Sequence, residues 1–426
     1  MDLALNNGTA VIDRELYKAN LGIKDGKIAE ISGEILKADR EIDCAGKIIL
    51  PGIIDEHVHF RVPGGEHKED WKTASLAAIA GGVCTVIDMP NTNPALTTCA
   101  LLEERQKIVE KDALVNFKFH FGATSDNFQE LENAQEIASI KVFMGSSTGN
   151  LLVEDSKALE KIFEIAKSRN ITVSVHCEDE ELMRQNLEKF KRANHARFHN
   201  KIRDNEVEWK SIKKALAIQE KVGNKLHFMH VSTKEGLRFI ESAKENGLKV
   251  TCEVTPHHLF LTDKDTESLG NFGKMNPPLR SGADLDALWT AIAKGTIDCI
   301  GTDHAPHTIE EKNQEYQKAP SGVPGIETML PLLLNARSKG MISIEKIAAM
   351  CSENPARIFG LEGKGKIQLG FDADFTIVDL KGRTEIRNEN LQTKCKWSPF
   401  NGLKLKGIVE KTIINGKVVF DFGGSL

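Results

Sequence analysis

Long apolar runs, clustered cysteines and blocks of like charge are all missing from this 426-residue chain. No apolar stretch reaches the roughly 18 residues that cross a bilayer, so no membrane span is expected. Residues 1–15 contain Asp2 and Asp13 and lack a basic start followed by an apolar core, which argues against a secretory signal. Of the 8 cysteines none forms a Cys-x-x-Cys pair. Cys84, Cys177, Cys252 and Cys299 lie in or beside apolar strand-like runs, the pattern of buried free thiols in a reducing cytoplasm. The net charge of -5 is mild, with no basic run to form a nucleic-acid groove and no acidic tail. The partners that remain are small molecules and other copies of the chain. Low-complexity linkers and short-period repeats are also absent.

What is present falls into three zones. Residues 1–47 read as short strands at 9–12, 19–24 and 27–31, the last two joined by Asp25-Gly26, a tight hairpin signal. Residues 363–426 read alike: a strand at 373–378, then 408–414 and 417–420 flanking Asn415-Gly416. Neither end is long enough for a comfortable core of its own. They are expected to pair into one small β-sandwich domain with the middle inserted between them; a 1–47 fragment that folded alone would refute this. The middle zone, 48–362, alternates. Strand-like runs at 48–54, 84–88, 114–121, 140–143, 171–175, 226–229, 249–253 and 297–300 are separated by helix-like segments such as 71–80, 101–111, 156–167, 209–220 and 234–245. Eight strands alternating with helices predict an α/β fold, a closed (β/α)8 TIM barrel.

Chemistry in such a barrel sits at the C-terminal ends of the strands. The first strand ends Asp55-Glu56-His57-Val58-His59-Phe60-Arg61, where period-two alternation puts His57, His59 and Arg61 on one face. The fifth ends at His176, the sixth at His230 and the eighth at Asp303. One histidine after a strand is ordinarily a hydrogen-bonded core residue. Four imidazoles and an aspartate at four strand ends are the ligand set that suits Zn²⁺. Lys141, among apolar neighbours in the fourth strand, has two readings. It either snorkels to the rim or has reacted with CO₂ to give a carbamate that bridges two metals, a step metal binding can drive.

These residues carry a resemblance to the dihydroorotases of the amidohydrolase superfamily. The motifs are 55–61, Met-Pro-Asn-Thr (89–92), Ile-Lys-Val-Phe-Met (140–144), Asn-Pro-Pro-Leu-Arg (276–280) and Gly-Thr-Asp-His-Ala-Pro-His (301–307). The resemblance implies that His57, His59 and Asp303 bind one zinc ion, that His176 and His230 bind a second, and that carboxylated Lys141 bridges them. It implies substrate contacts from Arg61, Asn91, Asn276 and His307, with segment 319–325 close by. Two departures stand out: Val62 where the family usually has glutamate, and a loop at 145–150 that is closer to hydantoinase-like members.

The implied activity is reversible hydrolysis of dihydroorotate to N-carbamoyl-L-aspartate in pyrimidine biosynthesis. A hydroxide shared by the metals would be the nucleophile, with Asp303 as general base and acid. Arg61 carries the substrate argument, because a guanidinium fork matches a carboxylate that hydantoin lacks; its plain alternative is an ion pair with Glu66 or Asp70. The rival activities are a hydantoinase or allantoinase and a non-catalytic subunit of an aspartate transcarbamoylase assembly. A homo-oligomer, association with an aspartate transcarbamoylase and a cytoplasmic location are further expectations. His67, His120, His195, His199, His227, His257 and His258 are read as structural. His304 is read as loop support, and Glu178 and Asp179 as partners of His176.

Overall fold

In the computed structural model, which describes residues 1–147 and 151–423, two sheets divide the chain. The first is built from both ends. Strands β1 (Leu3–Ile12), β2 (Glu15–Lys24), β3 (Lys27–Ser32), β4 (Arg40–Asp43) and β5 (Ile48–Pro51) come from the N-terminal side. The order along the sheet is completed by β14 (Phe375–Glu385), β15 (Lys404–Ile414) and β16 (Lys417–Asp421), with β14 pairing antiparallel to β5. Seven of the strands follow one continuous hydrogen-bonded path, and β4 branches from it by pairing with β1. Its edge folds back: Ile28 N–H donates to Phe371 O (2.9 Å) and Ala373 N–H to Gly26 O (2.9 Å). Leu5, Leu21, Ile23, Ile49, Phe375 and Ile413 are buried together inside the fold. The two expected hairpin turns meet there, with Gly26 at φ 73° packed against Asn415. Neither end encloses this core without the other.

The second sheet is an eight-stranded parallel barrel. In order it contains β6 (Ile53–Val58), β7 (Val83–Asp88), β8 (Asn116–Gly122), β9 (Ser139–Phe143), β10 (Thr172–His176), β11 (Lys225–Phe228), β12 (Val250–Val254) and β13 (Cys299–Ile300). Helices Trp71–Ala80, Cys99–Asp112, Ser156–Ser168, Asn205–Val222 and Lys234–Glu245 lie where the sequence periodicity places them. The helix at Trp71–Ala80 begins with a reciprocal cap, Asp70 accepting from Thr73 N–H.

Two differences from the sequence reading matter for the site. The run at 48–54 is not one barrel strand: Gly52 divides it, leaving Ile48–Pro51 in the terminal sheet and Ile53–Val58 in the barrel. A β-carbon at Gly52 would meet the Asp374 and Cys84 side chains within 3.0 Å, so the crossing needs glycine. The eighth strand is only two residues long, and the Asp55 side chain together with a backbone bridge just beyond the strand completes the closure. Asp55 accepts from Thr302 N–H (2.9 Å) and Thr302 Oγ1–H (2.5 Å), while His59 N–H donates to His304 O (2.8 Å). All eight cysteines are free, and among the described residues no helix is long and apolar enough to cross a membrane.

Candidate metal centre at the barrel mouth

His57, within β6, and His59, just after it, meet Asp303 across the closing seam. The Nε2 atoms of His57 and His59 lie 3.2 and 2.9 Å from Asp303 Oδ1. One donor atom from each of these three buried residues fits within 4.8 Å, the geometry of a shared cation. The outward nitrogens are occupied: His57 Nδ1 by Glu253, His59 Nδ1 by Asn91 Oδ1 at 2.7 Å. Donation from those Nδ1 atoms leaves each inward Nε2 with its lone pair facing the centre. Burial lowers His59 to about 4, keeping its ring neutral.

On the other side of the mouth, His176 Nδ1 and His230 Nε2 face each other at 2.8 Å. His176 Nε2 is held by Glu178 Oε2 at 2.8 Å, and Glu178 is in turn paired with Arg203. Burial raises the Glu178 carboxyl, yet Arg203 and His176 outweigh that and bring it to about 2. Asp179 does not touch His176; it caps the helix Glu180–Lys189. The His57 and His230 rings are 5.3 Å apart, so the two clusters form one lined cup. Lys141 reaches into it from β9. It is only 1 % exposed, with Nζ against Met229 Sδ (2.7 Å) and over the Phe143 ring (4.8 Å). It does not snorkel. Burial lowers it to about 8 against the opposing pull of Glu253 and Asp303, which makes the uncharged amine more accessible than in an exposed lysine. The donors of His57, His59 and Asp303 therefore fit a divalent cation, with two further imidazoles and the Lys141 amine lining the same cup.

Of the residues expected to contact substrate, Asn91 touches the cup through His59, and Arg61 and His307 lie side by side. The chain leaves β6 at Val58, so Arg61 does not continue the strand's face; it turns at φ 68° and enters the mouth by another route. Its Nε donates to Pro306 O at 3.1 Å, and its terminal nitrogen lies 3.2 Å from His307 Nε2. Arg61 is 8 % exposed and, among the described residues, has no carboxylate within ion-pair distance. Glu66 instead accepts from Gly64 N–H, and Asp70 pairs with Lys394. Burial lowers the guanidinium to about 10, against the pull of Asp303 and Asp88. His307 is fixed by Ser321 O (3.0 Å) and Lys68 Nζ (3.2 Å). Asn276 receives His199 Nε2–H at 2.8 Å, and His199 Nδ1 meets Tyr316 O–H at 3.0 Å. Two buried ammonium groups pin the loop at 316–322: Lys274 to Tyr316 O and Ala319 O, and Lys312 to Pro320 O and Gly322 O. In the loop at 145–150, residues 148–150 lie outside the described residues.

Sequence reasoning missed Glu253, the fourth residue of β12; an acid within a buried barrel strand was the available signal. It also passed over His257, which lies three residues past β12. This ring is 2 % exposed, its Nε2 has no hydrogen-bond partner among the described residues, and burial lowers it to about 4, with Asp303 and His57 as its charged neighbours. His258 is structural, bonded to Thr255 Oγ1 and Pro277 O. His304 accepts from Gly325 N–H at 3.1 Å and supports that loop.

Comparison with known proteins agrees with this geometry. The model of the amidohydrolase family matches residues 48–419. A dihydroorotase from Methanosarcina mazei is 40% identical over 432 residues, covering 98% of this chain and 94% of the relative. One from Methanothermobacter thermautotrophicus is 39% identical over 430 residues, covering 99% and 95%. Among solved structures, an L-hydantoinase (dihydropyrimidinase) from Arthrobacter aurescens superimposes with a TM-score of 0.97 at 30% identity, covering 100% of this chain and 97% of that one. A dihydropyrimidinase from Brevibacillus agri gives 0.92 at 28% identity, covering 99% and 95%. The chain is a hydrolase and belongs to the amidohydrolase family.

Proposed function

We propose that this protein is a dihydroorotase, opening the ring of dihydroorotate to N-carbamoyl-L-aspartate and closing it in the reverse direction. The observation that carries the reading is Arg61: a buried guanidinium with no carboxylate within ion-pair distance among the described residues, anchored through Nε and set beside His307, which Lys68 holds in turn. Such a group is stable when a ligand brings the missing anion. Dihydroorotate carries one; hydantoin and allantoin do not. The near-identity of backbone with hydantoinases speaks for the shared barrel, while Arg61 speaks for the substrate.

The metals of this reading are two zinc ions. His57, His59 and Asp303 would hold one and His176 and His230 the other, and Lys141, as a carbamate, would supply a further ligand. That carbamate forms when Nζ adds to the carbon of CO₂ and releases a proton, a step the uncharged amine performs. When bound, the cations lower the pKa of water and polarise a carbonyl, so a nucleophile is available at neutral pH. The protein's own residues do the rest. Arg61, with Asn91 and His307, fixes the substrate carboxylate and thereby the ring. Asn276 borders the ring, itself held by His199. Asp303, an ionised carboxylate beside the reacting centre, takes the proton of the attacking water and returns it to the departing ring nitrogen. In ring closure Asp303 starts protonated, so acidic conditions favour that direction. The proposal extends to a role in pyrimidine biosynthesis in the cytoplasm, in a homo-oligomer able to associate with an aspartate transcarbamoylase.

The test is ring opening by the zinc-loaded protein at mildly alkaline pH, with dihydroorotate, hydantoin and allantoin side by side. Opening of dihydroorotate alone supports the proposal. Preference for a neutral ring refutes the substrate reading and leaves the barrel intact. Two bound metals with no activity on any ring would favour a non-catalytic role in an assembly.

A further inference from the structure

Glu253 is completely buried and receives three N–H groups from other parts of the barrel. Its Oε1 accepts from His57 Nδ1 on β6 and from the backbone N–H of His230 (3.2 Å), two residues past β11. Its Oε2 accepts from His227 Nε2 on β11 at 3.0 Å. The far side of the His227 ring is held in turn by Thr251 Oγ1 at 2.8 Å, so that ring cannot swing away. One carboxylate on the seventh barrel strand thus ties together the first and the sixth.

Two of the residues it holds, His57 and His230, belong to different metal subsites in the proposal above. At His57 it fixes the ring: with Nδ1–H donated to Glu253, the Nε2 lone pair is aimed at the Asp303 side. At His230 it fixes the backbone. His230 has φ 38°, a left-handed conformation that is costly for a residue with a β-carbon. A buried N–H without an acceptor there would add a further penalty; Glu253 removes it. Glu178 offers the contrast, since its histidine contact is with His176 alone, on the second subsite.

We propose that Glu253 is a positioning residue shared by both metal subsites, so that the two cations are held cooperatively by one buried carboxylate. This rests on the two-site reading. The experiment is calorimetric titration of the metal-free full chain with Zn²⁺, with metal content measured after dialysis, for wild type, E253Q and E178Q. Wild type is expected to take up two ions; uptake of a single ion would refute the two-site reading itself, whatever the variants do. E253Q is expected to lose about 10- to 100-fold in affinity at both sites, whereas E178Q weakens one. A loss confined to one site in E253Q would overturn the shared role, and unchanged affinity at both would overturn any positioning role. If E253Q does not fold, T251V, which frees His227 and leaves the carboxylate in place, is expected to weaken both sites several-fold. Two unweakened sites in T251V would likewise overturn the proposal.

Discussion

Replacing Arg61 by lysine separates the guanidinium fork from charge alone. Both residues carry a β-carbon, so the left-handed backbone at φ 68° strains them alike and drops out of the comparison. Arginine spends Nε on Pro306 O and still presents two terminal nitrogens. A lysine ammonium has one nitrogen for both tasks and cannot match a carboxylate bidentately. Losing one charge-assisted hydrogen bond at a buried site costs about 1.5–3 kcal/mol, which is roughly a 10- to 150-fold loss in kcat/KM at about 1.4 kcal/mol per tenfold. The assay is steady-state ring opening, with dihydroorotate and hydantoin as separate substrates. The expected result is a raised KM for dihydroorotate and little change in whatever slow turnover hydantoin shows. An unchanged KM for dihydroorotate would remove Arg61 from the substrate site. Equal losses on both rings would mean general damage rather than a lost carboxylate contact.

Lys141→Ala is expected to abolish activity and lower the zinc content per chain, with short carboxylic acids restoring part of the rate; full activity in this variant would exclude the carbamate. Asp303→Asn is expected to keep metal through His57 and His59 while kcat falls about 10²- to 10⁴-fold, and retained turnover would exclude its proton role. Phe375→Ala empties the centre of the terminal domain's core and is expected to cost about 3–5 kcal/mol in urea unfolding; a change under about 1 kcal/mol would show that this core contributes little to stability. His120 and His199 are pushed down by burial to about 3 and stay neutral in the folded chain. Unfolded, they regain an ordinary histidine pKa of about 6.5. Between those values the unfolded chain binds the extra protons. Stability is therefore present above about pH 6.5 and is lost as pH falls, by about 3 kcal/mol per pH unit for the two groups together. Urea midpoints that stay flat from about pH 6.5 to 4.5 would contradict this.

That these side chains would meet was legible because a strand end is a sequence feature: His57, His59, His176, His230 and Asp303 follow apolar runs, and the barrel gathers such ends at one mouth. Arg61 was legible by motif, although the strand stops before it and its approach depends on a left-handed turn that alternation does not encode. Glu253 stayed hidden because its meaning lies in three cross-strand partners, none near it in sequence. The division at Gly52 was equally invisible. An apolar run buried on both sides looks continuous whether it serves one sheet or two. His120 and His227 were read as core histidines, and they are hydrogen-bonded inside the barrel, His120 to Ser139 and Glu56 O, His227 to Thr251 and Glu253. His257 received the same reading, but the structure leaves its Nε2 without a partner close to the metal cup.

The most direct test uses two substrates that differ only in the group Arg61 is proposed to bind. Dihydrouracil is the ring of dihydroorotate without its carboxylate. Because a site built to bind a polar group strongly rejects an analogue that lacks it, kcat/KM of the zinc-loaded wild type is expected to favour dihydroorotate by at least about 10²-fold. Equal turnover of the two rings, or a preference for dihydrouracil, would contradict the account at its centre.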